Sequence, residues 1–236
     1  MGKSPPEAEE SIGQSRTAGI ALIAGALAGV VTMSFHPTAR DLLQPGGEAV
    51  LAAWRNAAVH WLALASLPLL ILGFLGLSRR LRLRRALVSS ALITYILACA
   101  AVMCAAVFSG LVAASVVRQI LSADPSDRSI GQALLVYTGQ LNQGFARVHV
   151  AASSVAVVLW SISILRTRAF ARAVGVLGCV IGGATLLVLV SGHLRLNVHG
   201  FGLVVAAQSA WAVLIGVLLC RVREGAPTDG RGNLSV

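Results

Sequence analysis

Five histidines, His36, His60, His149, His193 and His199, carry most of the chemistry this sequence offers. Neutral imidazole is the commonest nitrogen ligand for zinc, copper and haem iron. Three converging imidazoles suit a zinc or copper ion with an open coordination position. Two facing imidazoles on different helices suit a bis-histidine haem in a bundle core. Amides and guanidinium groups stand nearby in the chain. Asn56 lies one helical turn before His60, Asn142 lies two turns before His149, and Arg147 is beside it. Arg195 and Asn197 fall between His193 and His199, and Arg118 ends an apolar run on the same side. Such groups orient imidazoles or bind an anion such as a carboxylate, phosphate or haem propionate.

Other chemistry is sparse. HExxH, GxSxG and phosphate-loop patterns are all missing from the sequence, so no enzyme class is assigned. Cys99, Cys104, Cys179 and Cys220 lie within apolar runs without metal-type spacing and read as small apolar filler. Ser66 and Ser153 fall on the histidine side, where serine usually bonds its own helix backbone. Asp41 is a candidate fourth ligand or general base, although a loop salt bridge with Arg40 or another arginine is the simpler expectation.

The elements that must position these residues follow from composition. Of 236 residues, 56% are hydrophobic and 12% charged, with a mean hydropathy of +0.80. A soluble domain has roughly a quarter of its residues charged. An ordinary soluble enzyme, a disordered chain and a disulfide-stapled secreted module are therefore excluded. Six apolar segments run over about 17–35, 59–77, 87–117, 147–165, 173–191 and 200–220, and none contains an acid. The expected fold is all-α: a polytopic six-helix transmembrane bundle over 17–221, with disordered cytoplasmic tails at 1–16 and 222–236. The polar, acidic start and the poor cleavage site around Met33-Ser34-Phe35-His36 make the first run an expected uncleaved span. The third run exceeds one crossing. The helix after Asp124-Pro125-Ser126-Asp127 is expected to project beyond the bilayer before the fourth span begins. Gly25–Gly29 and Gly178–Gly182 mark close helix approaches, and Pro68 should kink the second helix.

The net charge of +10 is organised. With both termini inside, 13 of the 19 Lys and Arg residues face the cytoplasm: Lys3, Arg16 and the blocks at Arg79–Arg85, Arg166–Arg172 and Arg221–Arg231. A bacterial inner membrane suits 18 Arg against 1 Lys in an alanine-rich chain. The expected partners are the lipid bilayer and anionic lipid headgroups at the cytoplasmic face. Nucleic acid is not expected, because no aromatic-basic surface accompanies the charge. The oligomeric state is left open.

This topology sets every histidine on the outer side. His60, His149 and His199 lie 18, 17 and 22 residues from Ser78, Arg166 and Arg221. At 1.5 Å per residue these are roughly 26–33 Å, about one hydrocarbon thickness. The pairs Val59-His60, Val148-His149 and Val198-His199 echo each other at the mouths of three helical hairpins. The sequence therefore points to an outward-facing site for zinc, copper or haem. His60, His149 and His199 would be the core ligands, with His36 and His193 as further ligands or supports. The alternative functions are a transporter or lipid-handling protein that binds an anion through Arg118, Arg147 and Arg195, and a scaffold without a ligand.

Overall fold

The computed structural model describes residues 5–37, 47–122, 124 and 128–221. Asp41, Arg40 and the tail 222–236 lie outside them. The helices are α1 (Pro5–Ser34), α2 (Gly47–Arg80), α3 (Ala86–Ala106), a π-helical segment (Val107–Val112), α4 (Ala113–Ser122), α5 (Arg128–Thr167), α6 (Arg172–Val190) and α7 (Val198–Cys220). No strand occurs among the described residues. Among the described residues, six stretches are long and apolar enough to cross a membrane: Gly13–Ser34, Trp54–Arg80, Ala86–Ile120, Ser129–Thr167, Arg172–Val190 and Val198–Cys220. Each overlaps one of the six apolar runs, as a multi-pass membrane protein requires, although the fourth begins at Ser129, well before its run at 147–165. Helical structure in α1 extends back through residues 5–16, which the sequence reading assigned to a tail.

The arginine blocks sit at the turns joining α2 to α3 and α5 to α6, and at the end of α7, so the bundle has an arginine end and a histidine end. Each of the two turns contains one left-handed arginine, Arg82 at φ 68° and Arg168 at φ 52°. These residues stop the preceding helix where a glycine commonly does. The third crossing is a single rod of α3, π segment and α4. With 40 residues, α5 is about 60 Å long, twice a hydrocarbon thickness. It is therefore longer than a single membrane-sized layer requires.

Helix packing divides the bundle into two groups of three crossings. In one, α1 lies closely along both α2 and α7; in the other, α5 lies along both α3 and α6. The contacts of α2 with α3 and of α6 with α7 are much less extensive, and the chain passes between groups at those two places. Small residues set the spacing. A Cβ at Gly182 would stand 2.7 Å from the Ser154 carbonyl oxygen, so this glycine is what lets α6 lie against α5. Pro68 is accommodated inside an unbroken α2.

An aromatic cluster joins the two groups toward the arginine end. Phe74 stacks on Trp160 at 4.5 Å with an interplanar angle of 9°, and Tyr95 and Trp211 complete the cluster. Both indoles are fully buried and both have hydrogen-bond partners. Trp160 Nε1 donates to Ser78 Oγ at 3.0 Å, and Trp211 Nε1 donates to the Val174 carbonyl at 3.1 Å. The core thus buries large aromatic area with its polar atoms satisfied.

Candidate functional site

At the histidine end, His60 on α2 is 4% exposed and faces the π-helical segment of the third crossing. The ring Nδ1 lies 2.7 Å from the Asn56 carbonyl oxygen. Nε2 lies 2.6 Å from Ser109 Oγ and 3.4 Å from Nε2 of His36. His36 follows α1 and is half-buried, with Nδ1 2.8 Å from the Pro37 carbonyl oxygen. The two imidazoles meet edge to face, their centroids 4.8 Å apart at 66°.

The π segment is built around this pair. Its wider turn takes backbone carbonyls out of the ordinary helical ladder. The Asn56 side chain, 1% exposed, supplies them with a donor: Nδ2 is 3.0 Å from the Ser109 carbonyl oxygen and 3.4 Å from that of Gly110. Gly110 leaves room for the imidazole, since a Cβ there would stand 2.3 Å from His60 Cγ. Asn56, His60, Ser109 and Gly110 therefore form one unit across two helices. π segments recur at functional sites because they redirect side chains and free backbone groups.

The hydrogen-bond partners fix the protons. A carbonyl oxygen only accepts, so each Nδ1 carries the ring hydrogen and each Nε2 presents a lone pair when neutral. Burial pushes the His36 imidazole below the ordinary histidine range, opposed by its bond to the Pro37 carbonyl. Ser109 can donate its hydroxyl proton to His60 Nε2. That hydroxyl then takes the His60 Nε2 lone pair, and no proton lies between the two Nε2 atoms. An electron-pair acceptor placed between them would relieve this contact.

The other histidines have different surroundings. His149 on α5 is half-buried; its Nδ1 is 2.9 Å from the Ala98 carbonyl on α3, and its ring lies 5.8 Å from Phe201. His193 and His199 are exposed, the former with Nδ1 3.0 Å from Ser191 Oγ. Among the described residues, no three or more His, Cys, Asp or Glu side chains are grouped to hold a metal ion. Arg118, Arg147 and Arg195 are exposed, and Asn142 is half-buried. Asn197 caps α7 by accepting the Gly200 amide at 2.8 Å. Ser66 and Ser153 bond carbonyls of their own helices, as serine in an apolar helix does. The cysteines are free thiols.

Sequence reasoning singled out His36, His60 and Asn56 but missed Ser109, Gly110 and the π segment. The available signal was the Ser-Gly pair in the middle of an apolar run too long for one crossing. Below the pair, a cavity of about 110 Å³ lies among five of the six crossings, lined for example by Gly29, Leu67, Val102, Val157 and Val205. Comparison with protein-family models, with curated proteins and with solved structures returns no match.

Proposed function

We propose that the chain is a multi-pass bacterial inner-membrane protein, with both termini cytoplasmic, that binds a zinc or copper ion through His36 and His60 at its outward end. The observation that carries this reading is the 3.4 Å separation of the two Nε2 atoms. Two imidazole nitrogens bound to one tetrahedral ion at about 2.0–2.1 Å stand about 3.3–3.4 Å apart. The same bonds drawn in line, as on the two faces of a haem, would hold them about 4.0–4.2 Å apart with a macrocycle between. The pair therefore fits a tetrahedral ion and does not fit axial haem ligation. Both rings are held from behind by carbonyls at Nδ1, the usual outer support of a metal-bound histidine.

Two protein nitrogens leave coordination positions for water or an exchanging ligand. That suits a site that takes up and passes on an ion, or presents one to a substrate, rather than a closed structural site. His149, placed by the sequence among the core ligands, is committed at Nδ1 to α3, while His193 and His199 are exposed at the same end. An anion site is less well supported, because Asn56 and Asn197 are engaged in holding backbone. The outward placement rests on the arginine bias toward the opposite end.

Titration of detergent-purified, metal-stripped protein with zinc and with Cu(I) tests the proposal. One ion per chain is expected, lost on His36→Ala and retained on His199→Ala. Absence of uptake by the wild-type chain, or uptake unchanged by His36→Ala, would refute it.

A further inference from the structure

The cavity among the crossings is separate from the His36–His60 pair and has its own chemistry. On α2 its lining runs from Ala63 to Phe74, eleven residue steps or about 16 Å along the helix. The cavity, about 110 Å³, is thus elongated along the helices. The walls are mostly apolar, and the Phe74–Tyr95 cluster closes the deep end. An apolar cavity in a bundle holds water poorly and an apolar molecule well.

Polar groups in the lining are few and specific. At the histidine end, His149 donates Nδ1–H to the Ala98 carbonyl, which leaves Nε2 as an acceptor on the lining. Deeper, Gln208 Nε2 donates one of its two N–H groups to Ser154 Oγ at 3.0 Å. An occupant is therefore offered an acceptor at the histidine end, with Thr32, Ser66, Gln208 and Ser209 the polar side chains among otherwise mostly apolar walls. A carbonyl or ether head, which has no hydrogen to give, would face the His149 lone pair unfavourably.

We propose that this cavity binds a slender single-chain lipid alcohol, its hydroxyl donating to His149 Nε2 and its chain running between the helices toward Phe74. An isoprenoid alcohol and a straight-chain fatty alcohol share the required chemistry, and the test separates them.

The full chain in phosphatidylcholine nanodiscs is titrated with tritiated farnesol and, separately, tritiated dodecanol, with farnesyl methyl ether as competitor. Saturable binding of one alcohol per chain is expected, with the alcohol preferred over the ether by about tenfold, one neutral hydrogen bond's worth. Farnesol alone binding identifies the isoprenoid class, dodecanol alone the acyl class, and both a site that reads only the hydroxyl and the chain. His149→Leu should abolish the preference for alcohol over ether. Gly29→Leu should abolish binding by filling the slot, since a Cβ there meets only ordinary contacts at 3.6 Å and 3.9 Å. His36→Ala should leave lipid binding intact, which separates this site from the metal site. Absence of saturable binding of either alcohol would overturn the proposal. So would equal wild-type affinity for alcohol and ether, or undiminished binding by a folded Gly29→Leu chain.

Discussion

His36 and His60 owe their interest to the arrangement of protons as much as to their proximity. Each ring is held at Nδ1 by a carbonyl, so the atoms that face each other at 3.4 Å are both acceptors. The Ser109 hydroxyl, 2.6 Å from His60 Nε2, occupies the same lone pair that an ion would need. Ser109→Ala is therefore expected to tighten zinc binding roughly two- to tenfold, the range of one neutral hydrogen bond. Competition against a zinc-sensitive dye measures this, and weaker binding in the variant would make Ser109 a ligand instead. At this scale the sequence showed which residues to examine and not which of them meet. The common depth of His60, His149 and His199 followed from counting residues along helices. Their directions did not, because depth fixes height along a helix and leaves its rotation free. His60 turns toward α1 and the π segment, while His149 turns toward α3.

At the scale of elements, the π segment is the device that makes the site. An α-helical third crossing would keep its carbonyls in the ladder and give the Asn56 side chain no acceptors. Two substitutions follow. Asn56→Leu removes this donor from the two carbonyls and buries no replacement, and should cost about 1–3 kcal/mol, read as a lower midpoint in thermal unfolding followed by circular dichroism. Gly110→Ala places a methyl group against the His60 ring, where overpacking costs about 1–3 kcal/mol. It should also weaken zinc binding by displacing the imidazole, whereas unchanged zinc affinity would show that the close fit of Gly110 is incidental to the site. The six apolar runs and the length of α5 were legible because hydrophobicity over some twenty residues is a strong signal. A six-residue change of helical pitch leaves only a Ser-Gly pair behind.

For the whole molecule, two groups of three crossings meet at an aromatic cluster near the arginine end and enclose a slot toward the histidine end. The arginine blocks at one end predict orientation. Alkaline phosphatase fused after Gly192 should be active in the periplasm, and green fluorescent protein fused at the C-terminus should fluoresce in the cytoplasm. The opposite pattern would reverse the topology and put the histidines inside. The six-crossing architecture was readable from hydropathy alone. The grouping was not, because it depends on which faces meet, and small residues such as Gly182 reveal close approach without naming the partner. The central claim is that His36 and His60 together hold a metal ion. Its most direct test is metal stoichiometry in a His193→Ala/His199→Ala chain, where the exposed imidazoles cannot contribute, with and without His36→Ala. The account predicts one zinc or Cu(I) ion per chain, falling to none when His36 is replaced. A folded chain that takes up no ion, or one that keeps its ion without His36, would contradict it.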